Sequence, residues 1–89
     1  MYTPAIVEFL GTALIVGSFA FTNSPTLVVA ALAIATAFGG KVSGGHFNPA
    51  ITAWSLAYGK IGKQRAISYL LSQFGAALFV FMLSSVIIV

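Results

Sequence analysis

Three consecutive residues, Asn48, Pro49 and Ala50, offer the clearest chemistry in the sequence. Asparagine is among the best residues at a helix N-cap, because its side-chain oxygen accepts a hydrogen bond from a backbone N–H group of the first turn. Proline is favoured at the first helical position, where its missing N–H group costs nothing. The tripeptide therefore predicts a helix that begins at Pro49 and an Asn48 side chain whose NH2 group is free to donate outward.

A site at this helix start would suit a small neutral solute. The N-terminal end of a helix carries a partial positive charge, which repels cations. The backbone carbonyl groups of Gly44, Gly45 and His46 precede the helix and could supply acceptors beside the Asn48 donor. Acceptors in line with one donor fit an uncharged molecule that forms hydrogen bonds. The alternative is an ordinary capped helix after a loop, which an isolated Asn-Pro pair usually forms.

Composition excludes most other chemistry. The sequence has no cysteine, one histidine and one acidic residue, so it cannot assemble a multi-ligand metal site or a pair of catalytic carboxylates. A triad of a serine, His46 and Glu8 can be written, but no spacing favours it. The four cations form no long basic run, so nucleic-acid binding has no support. We therefore expect no enzyme, no metal and no cofactor.

The elements that position these residues are expected to lie in a membrane. Of the 89 residues, 60% are hydrophobic and 6% are charged, whereas a soluble domain carries roughly 25% charged residues. A helix needs about 20 mostly apolar residues to cross a hydrocarbon core of roughly 30 Å. Three stretches qualify, at residues 4–21, 25–39 and 64–89. The first lacks a basic leader, so we expect a retained span rather than a signal peptide.

Residues 40–58, between the second and third spans, differ from the rest. The part after Asn48 is helical for about ten residues and stops at Gly59, a natural C-terminal end. Ten residues rise about 15 Å, which is half a membrane and predicts a re-entrant half-helix. An amphipathic connector at the membrane surface is the alternative. The expected fold is thus an all-α membrane protein with three transmembrane helices and one re-entrant half-helix, forming a single unit over residues 1–89.

The distribution of cations predicts the orientation of this multi-pass integral membrane protein. All four cations lie between the second and third spans, at Lys41, Lys60, Lys63 and Arg65, and the turn between the first two spans has none. Cytoplasmic loops carry an excess of Lys and Arg. We therefore expect the basic segment and the N-terminus on the cytoplasmic side of the bilayer, and Val89 on the opposite side.

Residues 43–52, Ser-Gly-Gly-His-Phe-Asn-Pro-Ala-Ile-Thr, resemble the first signature loop of the aquaporin family, also called major intrinsic proteins. Residues 8–12 resemble the Glu-x-x-x-Thr element of that family's first helix, and residues 69–76 resemble its third helix. The resemblance covers the whole chain and implies half of an inverted-repeat bundle. It also implies a channel for passive transport of water or small neutral solutes such as glycerol, lined by residues 44–46 and 48–50.

The resemblance implies roles for three polar residues within the spans. A carboxyl group inside a span costs roughly 2.5–3.5 kcal/mol, so it usually faces protein or water. Glu8 is expected to support the loop by accepting hydrogen bonds from its N–H groups or from His46. Thr12 lies one turn further along the same face, and Gln73 would hold the loop from another side. For His46 we expect a structural hydrogen bond rather than proton transfer.

The resemblance also bears on the solute. Counting back about 19 or 20 residues from Asn48 reaches Val28 or Val29. Water-specific relatives resemble one another in placing an aromatic residue at this point of the pore. A valine at this position would leave a wider pore entrance, which favours glycerol or another small neutral solute.

Members of this family carry two inverted repeats, and this sequence resembles only the first. Ile51 occupies the position where the loop of the second repeat carries an arginine. A single half would supply one wall of a pore and expose its polar loop to lipid, so a partner besides the bilayer is implied. Three partners are conceivable: a second copy inserted upside down, a separate second-half chain, or the missing half of a longer chain. The distribution of cations opposes the first of these. An assembly of copies in one orientation is a weaker possibility. The competing interpretation is a non-conducting remnant or interaction subunit of a larger membrane channel.

Overall fold

The computed structural model describes residues 2–87 of the chain. Within this range lie four helices: α1 (Tyr2–Phe21), α2 (Pro25–Ser43), α3 (Pro49–Ala57) and α4 (Lys63–Ile87). Helices α1, α2 and α4 are long and apolar enough to cross a membrane, whereas the nine residues of α3 rise about 14 Å. The predicted fold class is confirmed: the described part of the chain is all-α, with three spanning helices and one half-helix.

Local signals in the sequence place the helix starts well. The Oγ atom of Ser24 accepts a hydrogen bond from the Leu27 N–H group at 3.2 Å, so Ser24 caps α2 and Pro25 follows at its first position. Helices α1 and α4 start within two residues of the predicted positions. The predicted end of the third span at Val89 lies outside the described residues.

Helix α2 continues to Ser43, beyond the end at residue 39 that the sequence predicts. A glycine inside a helix costs about 1 kcal/mol relative to alanine. Gly39 is nevertheless buried in the helix, where a Cβ atom would lie 2.7 Å from Val7 Cγ1 and 3.1 Å from the Phe47 ring. The helix ends instead at Gly44, which has a φ of 90° and donates its N–H group to the Gly40 carbonyl oxygen at 2.9 Å. Tertiary contacts thus account for a glycine at this position of the helix.

Helix α1 packs against both α2 and α4, and α3 packs against α4. The buried positions on α2 and α4 are mostly small residues, including Ala31, Ala35, Gly39, Ala66 and Ala76. Small residues allow helix backbones to approach closely in a bilayer. This packing brings the middle of α1 next to the loop between α2 and α3 and next to α4.

The distribution of polarity in the bundle is the reverse of that in a soluble domain. Large apolar side chains lie on the outside, with Phe38 83% and Leu71 70% exposed. Glu8 is fully buried and Gln73 is 1% exposed, although such residues are mostly found on the surfaces of soluble proteins. Lipid is the solvent that suits this exterior. The bundle interior therefore holds the polar groups that position the loop.

Candidate functional site

Glu8 lies at the centre of the candidate site and is fully buried. Its Oε1 atom accepts hydrogen bonds from the Phe47 N–H group at 2.7 Å and from Gln73 Nε2 at 3.0 Å. Its Oε2 atom accepts from the His46 N–H group at 3.0 Å and from Ser43 Oγ at 2.7 Å. Four donors therefore occupy the lone pairs of one carboxylate, which offsets much of the cost of placing it inside a membrane bundle. Through these bonds Glu8 joins α1 to the loop, to the end of α2 and to α4.

Gln73 extends this arrangement from α4 to α3. Besides its bond to Glu8, the Nε2 atom donates to Thr52 Oγ1 at 2.8 Å. These partners fix the orientation of the Gln73 amide. In the flipped orientation the amide oxygen would lie where Nε2 lies now and would face the Glu8 carboxylate, which is also an acceptor. The Oε1 atom of Gln73 has no hydrogen-bond partner among residues 2–87. Gln73 thus holds both the carboxylate and the half-helix, and it is 1% exposed.

The His46 ring joins the loop to α3. Its Nδ1 atom lies 2.9 Å from Thr52 Oγ1, which also accepts from Gln73 Nε2. A hydroxyl oxygen has two lone pairs and one hydrogen, so Thr52 can form both contacts at once. The loop, the half-helix and α4 therefore share one hydrogen-bonded network.

Phe47 fixes the depth of the loop. Its φ is 52°, the one positive φ at a non-glycine position among the described residues, and a left-handed residue other than glycine costs roughly 1–2 kcal/mol. The side chain is 5% exposed and lies between two glycines of neighbouring helices. A Cβ atom on Gly11 would overlap the ring, and one on Gly39 would lie 3.1 Å from it. Burial of the ring and the hydrogen bond to Glu8 offset the backbone strain.

Tyr69 and Ser43 connect α4 to the end of α2 beside the site. The Tyr69 hydroxyl donates to the Ser43 carbonyl oxygen at 2.6 Å, and Ser43 Oγ accepts from the Gly45 N–H group at 3.1 Å. The Tyr69 ring also meets the His46 ring edge-on, with centroids 5.1 Å apart. Sequence reasoning assigned no role to Ser43, Phe47, Thr52 or Tyr69. A usable signal was the spacing of Tyr69 and Gln73, which are four apart and share one face of α4.

Asn48 begins α3 with the capping geometry described for asparagine. Its Oδ1 atom accepts from the Ala50 N–H group at 2.8 Å, and Pro49 holds the first helical position. Asn48 and Ala50 are exposed, and Pro49 is half-buried. With Oδ1 engaged at the helix end, the NH2 group of Asn48 points outward as a donor.

The loop before α3 turns through left-handed backbone. Gly44 and Gly45 have φ values of 90° and 68°, which glycine adopts at little cost. Within the described residues the carbonyl oxygens of residues 44–46 accept no backbone hydrogen bond. Gly44 and His46 also line a cavity of about 520 Å³, which reaches α4 and is here called the basic cavity. Of the predicted lining residues of the loop and half-helix, Gly44, Asn48 and Ala50 are exposed, and the other three are half-buried.

Two further predicted groups lie apart from this network. Thr12 is 4% exposed, and its Oγ1 atom has no hydrogen-bond partner among residues 2–87. Val28 and Val29 line a different cavity, of about 420 Å³, with Phe19 and the turn between α1 and α2. They lie near the start of α2, about 22 Å along the helix from its end at the loop. The structure does not bring them together with Asn48.

The fold and the site define the class: a helical membrane protein that carries a half-helix anchored by a buried carboxylate. The chain belongs to the major intrinsic protein family, whose family model, described as "Major intrinsic protein", matches residues 1–88. The resemblance inferred from residues 43–52 is confirmed. Members of this family are channels in lipid bilayers that carry water or small solutes.

A curated relative adds detail. The chain is 40% identical over 81 aligned residues to "Glycerol uptake facilitator protein-like 6" of Lactiplantibacillus plantarum, and the match covers 76% of this chain and 36% of the relative. The chain therefore spans little more than a third of the length of that relative. No solved structure matches the chain significantly.

Proposed function

We propose that this chain forms one half of a channel that conducts water or small uncharged solutes such as glycerol passively. The observation that carries the proposal is the geometry of Asn48. Its Oδ1 atom is used by the Ala50 N–H group at 2.8 Å, the residue is exposed, and its NH2 group faces outward at the start of α3. A donor at the positive end of a helix suits the oxygen of water or of an alcohol and opposes cations.

The charges of the chain also support transport of neutral solutes. Glu8 is the one acidic residue in the sequence, and it is fully buried with both oxygens engaged. No carboxylate is therefore available along the open face to attract cations. Valine at residues 28 and 29 and the similarity to a glycerol uptake facilitator-like protein favour glycerol among the candidate solutes.

The exposed face of α3 indicates that another protein segment is needed to complete a pore. Helix α3 packs against α4, and Asn48, Ala50 and Ile51 are exposed. Lipid cannot form hydrogen bonds to the loop carbonyls and the Asn48 amide, and each unsatisfied group would cost several kcal/mol in hydrocarbon. We propose that a second half-channel chain, a second copy or the remainder of a longer chain covers this face. Glu8 and Gln73 are proposed to support the loop in that assembly.

The orientation is proposed from the cations. Lys41, Lys60, Lys63 and Arg65 all lie at the ends of helices next to the loop and the α3–α4 connection. The positive-inside rule then places this end of the bundle and the N-terminus in the cytoplasm. Labelling of single cysteines introduced in the α1–α2 turn and in the α3–α4 connection, with an impermeant reagent on sealed cells, tests this proposal. Labelling of the connection from outside would contradict it.

Stopped-flow light scattering on proteoliposomes tests conduction. An impermeant osmolyte gradient reports water flux, and a glycerol gradient reports solute entry. We expect faster relaxation than in empty liposomes, a loss of this increase in Asn48→Ala, and retention in Asn23→Ala. Asn23 is a matched control because it is also an exposed asparagine but lies in the α1–α2 turn.

Relaxation no faster than in empty liposomes would contradict conduction by copies of this chain alone. Together with a correctly folded chain, that result favours a non-conducting subunit of a larger channel. Equal effects of the two asparagine variants would contradict the role proposed for Asn48.

A further inference from the structure

We propose that the basic cavity binds a phosphate group, either from a soluble phosphate compound or from the headgroup of an anionic lipid. The cavity of about 520 Å³ lies where the end of α2, helix α3, the α3–α4 connection and the start of α4 meet. Three of the four cations of the chain line it: Lys41, Lys60 and Arg65. Its volume lies within the range of roughly 300–1,000 Å³ that is usual for small-molecule sites.

The cations of the cavity have no carboxylate side chain to neutralise them. The sequence contains one acidic residue, Glu8, which is fully buried. Its two oxygens accept hydrogen bonds from four donors elsewhere in the site. Three positive charges around one cavity attract an anion from outside the chain, and a phosphate group has several acceptor oxygens that can serve more than one cation at once.

Two of the cations lie over aromatic rings. The Lys60 Nζ atom lies 5.0 Å from the centroid of the Trp54 ring, and the Arg65 guanidinium carbon lies 5.9 Å from that of Tyr69. A cation–π contact orients a cation through the ring quadrupole and leaves its N–H groups available for a ligand. The planar guanidinium of Arg65 suits two phosphate oxygens, and the lysine ammonium groups add point charges.

The fourth cation, Lys63, distinguishes this site from a general excess of positive charge. Lys63 begins α4 and is exposed, but it does not line the basic cavity. The positive-inside rule predicts that all four cations lie on one side of the membrane. It does not predict that three of them surround one cavity while the fourth lies outside it. Lys63 is therefore a matched control for the others.

Trp54 provides a direct reporter of binding. It is the one tryptophan in the sequence, it lines the cavity, and the Lys60 ammonium group lies over its ring. A phosphate group that draws Lys60 toward itself changes the surroundings of the indole and hence its fluorescence. The full chain in uncharged detergent is titrated with inorganic phosphate. In parallel, the chain is reconstituted into vesicles of phosphatidylcholine alone and of phosphatidylcholine with increasing phosphatidylglycerol.

We expect a saturable change in Trp54 emission in at least one of these two series. Lys41→Gln, Lys60→Gln and Arg65→Gln are each expected to raise the midpoint about fivefold, the effect of one cation near an anionic surface. Lys63→Gln removes the same charge and is expected to leave the midpoint unchanged. The midpoint rather than the amplitude is compared, because Lys60→Gln alters the emission of Trp54 by itself. Far-UV circular dichroism verifies that each variant retains its helices.

The outcomes separate the sources of phosphate and decide the proposal. A response to inorganic phosphate supports a soluble ligand, and a response to phosphatidylglycerol alone supports a lipid headgroup. No saturable response in either series overturns the proposal. An equal shift in Lys63→Gln and Lys41→Gln also overturns it, because it indicates attraction to the whole basic surface. Binding is measured without any flux, so this result is independent of whether the chain conducts.

Discussion

Replacement of Glu8 tests the central claim that one buried carboxylate holds the loop. In Glu8→Ala, three donors are left without an acceptor: the N–H groups of His46 and Phe47 and one N–H of the Gln73 amide. The Ser43 hydroxyl, which also bonds to Glu8, can donate instead to the Gly39 carbonyl oxygen. Each buried donor left without a partner costs about 1–3 kcal/mol. Three such losses predict a decrease in the free energy of unfolding of about 3 kcal/mol or more, which is at the upper end of what most single substitutions produce.

Glu8→Gln should cost much less, because the glutamine retains one oxygen. That oxygen can continue to accept from Phe47 and Gln73, while the new NH2 group faces His46 and Ser43. The Ser43 hydroxyl lies 3.3 Å from the Gly39 carbonyl oxygen, so it can donate there and accept from the new NH2 group. Only the His46 N–H group then lacks an acceptor, which predicts a loss of about 1–3 kcal/mol.

Thr12→Val is the control for both variants. Thr12 is buried one turn from Glu8, and its hydroxyl has no hydrogen-bond partner among residues 2–87. A methyl group in its place should change the free energy of unfolding by less than about 1 kcal/mol. The three values are measured on the full chain in mixed micelles, by titration with a denaturing detergent followed by circular dichroism. A Glu8→Ala chain as stable as Thr12→Val, or a Glu8→Gln chain as unstable as Glu8→Ala, would refute the reasoning.

Two further predictions concern the loop and its helix. Gly11→Ala places a Cβ atom on the Phe47 ring and should lower the free energy of unfolding by about 1–3 kcal/mol. A Cβ atom at Gly17 meets nothing within 4 Å, so Gly17→Ala should be neutral or stabilising by up to about 1 kcal/mol. Equal stability of these two variants in the same titration would contradict the proposed fit of the ring. If the chain conducts, Asn48→Asp should increase the leak of protons and cations into dye-loaded proteoliposomes, because a negative charge replaces the donor at the helix end. Asn23→Asp is the control. An ion leak in Asn48→Asp no greater than in this control would contradict the account.

Features of the fold that depend on neighbouring residues were predictable from the sequence. The start of α3 follows from Asn48 and Pro49, because a cap and a proline act on the turn that they begin. The three spanning helices follow from the lengths of the apolar stretches. The end of α2 did not follow in this way. Gly39 suggests a stop by its own propensity, whereas the Val7 and Phe47 side chains that leave no room for a Cβ atom there come from other elements.

The candidate site was also only partly predictable from the sequence. A carboxyl group in a span is expensive, so Glu8 could be singled out from the sequence, but its partners lie up to 65 residues away along the chain. The helical spacing places Thr12 on the same face as Glu8, yet its hydroxyl does not join the network. Thr52 and Tyr69 gain their roles from the packing of α3 and α4. Such partners depend on tertiary structure, which short-range patterns do not contain.

The position of Phe47 between two glycines has a consequence for the movement of the half-helix. Gly11 and Gly39 have no side chains, so the ring lies directly against the backbones of two helices. A movement of the start of α3 toward α1 would press the ring onto the backbone at Gly11. The bundle therefore resists displacement of the half-helix in that direction more strongly than a contact between flexible side chains would.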